Sequence, residues 1–331
     1  MIWLVALLLL ALAFVFVSGA NDGSTMIGLA LRGPNGSGVS AILLLLGSLV
    51  LVPTLLGFAV ADTFVVRLAD FTDERGAATF VLGAVAALLV VGLLAWRGVP
   101  TSLTLALIGG LTGAGLAAGA EVSASRVGTV LAIGAVAPFV GGGLAYLFGR
   151  LAGRSPVSGG RLTKMVHLVA YLGQCIAYAA NDGQKMFAVV AMASATTVGY
   201  VRSGESEPQG VDAVAVPAWL LAATAAVFAL GVLTSLQRVG GRLGRGLALA
   251  RPGQVVSTEA SSAIAVLGSS FLGTPVSMSQ SVAAGVVGVA ASEGSRRVRW
   301  PAVLGIASAW LWTLPSSMVV GALAGLLVRM M

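Results

Sequence analysis

Long stretches without a charge decide most of what this chain can become. Apolar residues dominate 2–18, 39–61, 77–96, 102–119, 127–149, 166–180, 186–199, 214–234, 260–272, 276–291 and 301–328. Most of these runs approach the roughly 20 residues that a helix needs to cross a bilayer. Charged residues make up 9% of the chain, whereas a water-soluble domain normally carries about 25%. Lipid is therefore the solvent, and in lipid a chain must satisfy its own backbone hydrogen bonds, which long apolar helices do. The expected class is an all-α integral membrane protein. The 45 glycines fit that class, because small residues let helices approach closely where no hydrophobic force drives them together. The first run lacks a basic leader and its terminal motif recurs later, so it is expected to remain as a span and not to be a signal peptide.

The scarce polar residues narrow the function. One cysteine, Cys175, excludes an internal disulfide and a thiolate metal cluster. One histidine, His167, excludes histidine-based metal chemistry and speaks against a hydrolase; it is expected to be an interfacial side chain. The net charge of +7 reflects topology, not nucleic-acid affinity. With alternating spans, Arg32, Arg150, Arg154, Arg161, Lys164, Arg238, Arg242, Arg245, Arg251, Arg296, Arg297 and Arg299 share one side, which is 12 of the 19 basic residues. Arg67, Arg75, Arg126, Arg202 and Arg329 face the other, together with Asp62, Asp70, Asp73, Glu74, Glu121, Glu205, Glu207 and Asp212. The positive-inside rule then puts both termini outside.

Two motifs recur. "SGANDGSTMIG" at 18–28 and "AANDGQKMF" at 179–187 each place an Asn-Asp pair within an apolar stretch. "RGVPTSLT" at 97–104 and "LGTPVSMS" at 272–279 follow them in the same order. Each half then has an odd number of crossings, so the halves face opposite ways, the inverted-repeat plan of transporters with a midplane site. The expected units are 1–155 and 156–331, packed as one transporter, with 77–119 and 255–291 as re-entrant hairpins. Asp22, Asp182 and Glu259 are the carboxylates left inside membrane segments, where each costs roughly 2.5–3.5 kcal/mol and signals function by default. For Glu259, close to a helix start, capping is the competing reading. The glycines predict that the helix breaks at each Asn-Asp pair, freeing carbonyls for a cation. Thr101, Ser102 and Thr104, like Ser277 and Ser279, follow a proline that opens a helix, and helix N-termini attract anions. Lys185 either adds positive charge to the anion site or neutralises a carboxylate.

At these residues the chain resembles the inorganic phosphate transporter (PiT) family of membrane symporters, which carries a Gly-Ala-Asn-Asp signature and a downstream Pro-x-Ser segment in each inverted half. "GANDGSTMIG", "GVPTSLTLALIGGLTGAG", "AANDGQK", "GTPVSMSQSVAAGVVG" and "AWLWTLPSS" carry the resemblance along nearly the whole chain. It implies that Asn21, Asp22, Asn181 and Asp182 form the ion and phosphate centre, with Ser102, Thr104, Ser277 and Ser279 as oxyanion ligands; Gln184, Lys185 and Glu259 also fall on motif positions. Thr25 stands where a second asparagine is usual. Leu103 and Met278 replace a central hydroxyl, Leu105 and Gln280 replace a histidine, and Ala179 replaces a glycine. The long soluble insert of many relatives is missing.

The expected function is import of inorganic phosphate by cation symport, with sodium or protons as the coupling ion and alternating access around the midplane site. A sulfate permease of the same fold is the alternative. The expected substrate-binding residues are Asn21, Asp22, Thr101, Ser102, Thr104, Asn181, Asp182, Lys185, Ser277 and Ser279. Those for the coupling ion are Asn21, Asp22, Thr25, Asn181, Asp182, Gln184 and Glu259. No enzymatic activity, no cofactor, no metal beyond a sodium ion and no nucleic-acid partner are expected. A plasma (inner) membrane homodimer is what the resemblance implies.

Overall fold

The computed structural model of the chain describes residues 2–96, 101–152, 160–198, 218–236 and 251–330. Among these, helices form the architecture, and pairing of extended backbone is limited to a bridge between Ala69 and Val122. The helices are α1 (Ile2–Ser18), α2 (Ser24–Ala30), α3 (Gly38–Leu56), α4 (Ala59–Asp62), α5 (Glu74–Trp96), α6 (Leu103–Ala118), α7 (Ala124–Ala152), α8 (Arg161–Tyr178), α9 (Gln184–Val198), α10 (Ala218–Ser235), α11 (Pro252–Phe271), α12 (Met278–Ser292) and α13 (Trp300–Met330). Five helical stretches are long and apolar enough to cross a bilayer: Val5–Ala30, Gly38–Leu56, Arg75–Leu94, Ala124–Ala152 and Trp300–Met330.

The burial pattern is that of a protein folded in lipid. Leu55 is 78% exposed, Phe139 81% and Leu311 77%, whereas Asp22, Asp182, Lys185 and Glu259 are buried. Helix α8 shows the inversion along one element: Leu162, Met165, Val166 and Val169 face outward, while His167, Gln174 and Cys175 face in.

The Asn-Asp motifs do not break their helices. Both stay in right-handed helical conformation and widen by one residue into a π-turn, at Gly19–Gly23 and Ala179–Gly183. In the first, the Ser24 amide reaches back to the Gly19 carbonyl, five residues away. The Ser24 and Thr25 hydroxyls donate to the carbonyls of Ala20 (2.5 Å) and Asn21 (2.7 Å). Hydroxyls thus serve carbonyls of the first π-turn, and because both motifs stay helical, α1–α2 and α8–α9 are each one bulged helix.

Helices α5 and α6 form one hairpin, and α11 and α12 another. Each hairpin packs against the final long helix of the opposite half: α6 along α13, and α12 along α7. Glycines allow this closeness, since a Cβ on Gly113 would run into the Met318 carbonyl, and one on Gly288 into that of Gly142. The hairpins and the long helices α7 and α13 thus interlock. The expected boundary at 155/156 lies outside the described residues, as do Arg97, Pro100, Arg154, Arg202, Glu205, Glu207, Asp212, Arg238, Arg242 and Arg245.

Candidate functional site

The two hairpin tips meet each other and both bulged helices at one buried place. Ser102 caps α6 by accepting from the Leu105 amide (3.3 Å), and Ser277 caps α12 by accepting from the Gln280 amide (3.4 Å). Their backbones match closely, with φ/ψ of −103°/112° and −104°/120°. The tips are joined by Thr104, whose hydroxyl donates to the Val276 carbonyl at 3.1 Å.

Lys185 lies at the junction. Its ammonium donates to Asp182 Oδ1 at 2.8 Å, to Thr104 Oγ1 at 2.6 Å and to the Val276 carbonyl. All three of its protons are thereby used. Lys185 is thus paired with a carboxylate. Asp182 Oδ2 accepts from the Met278 amide at 3.3 Å. A backbone amide acts here, so the side chain at 278 is free to be methionine.

Asp22 comes from the other half. Asn21 Nδ2 donates to its Oδ1 at 2.9 Å, and the carboxylate lies against Ser279 within the fields of Asp182 and Lys185. Ser279 in turn shares a proton with Ser277, Oγ to Oγ 2.9 Å. Ser102, Thr104, Ser277 and Ser279, at the hairpin tips, are all buried. Thr101 is buried too, and its hydroxyl has no partner among the described residues.

Other expected ligands are committed elsewhere. The Asn181 carboxamide fastens the second tip, donating to Ser270 Oγ (3.0 Å) and the Thr274 carbonyl (3.1 Å) while accepting from the Val276 amide (3.0 Å). Gln184 accepts from the amides of Val60 (2.8 Å) and Ala61 (3.1 Å) and donates to the Gly57 carbonyl (2.9 Å), so it caps α4 instead of facing the ion cluster. The Thr25 hydroxyl donates to the Asn21 carbonyl at 2.7 Å, which leaves its oxygen able to accept. Glu259 is neither a cap nor a member of the cluster. It lies in the body of α11, 3.2 Å from His167 Nε2, and Ser270, the α11 residue that Asn181 holds, is about 16 Å further along the helix. His167 is buried, not interfacial. Its Nδ1 accepts from the Asn35 amide at 3.2 Å, which leaves the proton on Nε2, facing Glu259.

Two features escaped the sequence. Thr63 donates to the Gly273 carbonyl at 2.6 Å, tying the α4 segment to the second hairpin. Ala179 replaces the glycine of the first signature because the surroundings differ. A Cβ on Gly19 would enter the Phe228 carbonyl of α10, and one on Gly231 the Phe16 carbonyl, so these helices cross backbone to backbone. Ala179 faces no such crossing and packs with Ala180 and Val52.

Chemically, the cluster holds two carboxylates, one ammonium, four hydroxyls and the amide N–H groups of two helix starts. Fully ionised side chains leave one excess negative charge, which invites one monovalent cation or a proton. The hydroxyls and helix N-termini offer donors to an oxyanion beside it.

Comparison with known proteins agrees with that chemistry. A sequence profile of the phosphate transporter family matches residues 154–321. A probable low-affinity inorganic phosphate transporter of Bacillus subtilis is 24% identical over 98% of this chain and 97% of its own length. One from Mycobacterium bovis is 30% identical over 94% of this chain and 74% of its own length. A solved structure described as the sodium-dependent phosphate transporter shares the fold over the whole of both chains, with a TM-score of 0.75 at 18% identity.

Proposed function

The chain belongs to the phosphate transporter family, and within it we propose a secondary active transporter that imports inorganic phosphate by cation symport. One observation carries the reading: Asp22 of the first half meets Asp182, Lys185 and Ser279 of the second, at the point where both hairpin tips converge. The excess negative charge of that cluster draws a cation in. The cation then cancels the charge that would repel a phosphate held by Ser102, Thr104, Ser277 and Ser279. Binding of one ion thereby prepares the site for the other, which is the minimum that symport requires. The relative described as sodium-dependent supports sodium over the proton.

Phosphate suits the site better than sulfate. At neutral pH it keeps an O–H that donates to the Asp22 carboxylate, whereas sulfate has no proton and would leave that acceptor unmet. The recurrence of π-turn, hairpin and long helix in each half supports two repeats of inverted topology, 1–155 and 156–331, with both termini outside. The hairpins are re-entrant and gate the site as the halves rock. The protein acts as a homodimer in the plasma (inner) membrane.

The test is uptake of labelled phosphate into proteoliposomes under an imposed sodium or proton gradient, with excess sulfate as competitor. Flux that depends on the gradient and resists sulfate is expected. Asp22→Asn and Asp182→Asn should each abolish it while the protein stays monodisperse. Normal uptake by both variants, or sulfate entering in place of phosphate, refutes the reading.

A further inference from the structure

Tyr178, at the end of α8, is fully buried, and its hydroxyl has no hydrogen-bond partner among the described residues. A buried phenol normally finds a partner for its O–H, and a neutral polar group left unmet is a cost the fold must offset. Tyr178 stands four residues before Asp182, at the entry to the second π-turn. Its ring packs on Phe228, with centroids 5.8 Å apart. Phe228 in turn closes over the first π-turn, where a Cβ on Gly23 would come within 2.7 Å of its Cζ. The side chain therefore reaches from one Asn-Asp motif toward the other. The carboxylates of Asp22 and Asp182 both bear on its hydroxyl without bonding to it. Lys185 is engaged with Asp182, Thr104 and Val276.

We propose that the Tyr178 hydroxyl oxygen is a ligand of the coupling cation, completing with Asp22 and Asp182 a site for sodium between the two π-turns. The assignment rests on the symport reading and extends it to a residue outside both motifs. An anion in that position would face two carboxylates. A hard cation would find the Asp22 carboxylate, the Asp182 carboxylate that Lys185 already pairs, and one neutral oxygen, ligands of the oxygen type such ions take. The ring supplies rigidity, because its contact with Phe228 fixes the oxygen in place.

The variant is Tyr178→Phe, which keeps the ring and removes only the oxygen. Purified protein in detergent is melted in sodium chloride and in choline chloride at equal ionic strength, and sodium is titrated. In choline the variant should melt at the same temperature as wild type or higher, because an unmet hydroxyl has been removed. In sodium it should need about tenfold more of the ion for half-maximal stabilisation, the loss expected for one ligand to a charge. In proteoliposomes the half-saturating sodium concentration should rise in parallel, with the phosphate KM at saturating sodium within about twofold of wild type. A lower melting temperature in choline would mean that the hydroxyl has a structural partner, and would overturn the assignment. So would an unchanged sodium titration, a change confined to the phosphate KM, or wild-type protein that does not respond to sodium. Sodium-dependent stabilisation lost in the variant, from a wild type that moves no phosphate, would sustain the ligand and refute the phosphate reading instead.

Discussion

Replacing Lys185 by methionine keeps the volume of the side chain and deletes its charge, leaving the Asp182 carboxylate in a dry interior with one backbone amide at 3.3 Å. Lys185 and Asp182 are 2.8 Å apart, with side chains 2% and 5% exposed, so solvent cannot replace the lost partner. Removing one member of a buried pair typically costs about 3–5 kcal/mol. Asp182→Asn strands the ammonium instead, but Thr104 and the Val276 carbonyl still hold it, so the cost should fall at or below the lower end of that range. The double variant has neither charge. Its loss should be only about 1–2 kcal/mol, for hydrogen bonds weakened at the hairpin tips. The coupling between the two substitutions is then at least about 2 kcal/mol. Equilibrium unfolding by increasing SDS in mixed micelles, followed by tryptophan fluorescence, measures all four proteins. Uptake should be absent in all three variants, including the well-folded double. Costs that add within about 0.5 kcal/mol would show that the pair is not a unit and that Lys185 is held by something else.

Other substitutions probe the frame around the pair. Gly19→Ala forces α1 away from α10 because its methyl group meets the Phe228 carbonyl, and overpacking of this kind costs about 1–3 kcal/mol. Ala179→Gly, at the equivalent place in the second π-turn, should cost no more than about 1 kcal/mol. The monodisperse fraction after heating compares them directly, and equal behaviour would contradict the asymmetric crossing. Gln184→Ala unseats α4 by leaving two amides and one carbonyl without their partner, at a cost of about 2 kcal/mol. Hydrogen exchange over 57–67 should accelerate while that over α9 stays protected. Unchanged exchange at Val60 and Ala61 would mean that the cap is not formed.

The membrane class and the meeting of Asp22, Asp182, Ser277, Ser279 and Thr104 were legible because they repeat. A charge that lipid penalises, occurring twice beside hydroxyl-bearing helix starts, carries information that no single copy has. The state of the helix at the motifs was not legible, because glycine serves a break and a close crossing equally well; only the carbonyl of Phe228 against Gly19 decides it. The frame bonds of Asn181 and Gln184 were not legible for a related reason. A carboxamide beside a catalogue of ligands looks like one more ligand, and the partners that occupy it lie 89–95 and 123–127 residues away in the chain. Glu259 and His167 are 92 residues apart, so nothing local showed that they belong together. Tyr178 was passed over because an aromatic residue in an apolar run reads as packing, and its packing on Phe228 is indeed half of what it does.

The π-turns also make the aim of the two carboxylates a matter of residue number. Successive residues in an α-helix point about 100° apart, and the extra residue in each π-turn advances everything after it by one such step. Closing the turn at Gly19–Gly23 to regular α-helix with all five residues kept would swing α2 through about a quarter turn around its own axis. Hydrophobicity, length and insertion into the membrane would survive, yet Thr25, Met26 and Ile27 would each present a different face to the core. The bulge is thus a phase setting between the two ends of one span, and a lineage that lost it would lose the site without losing the fold.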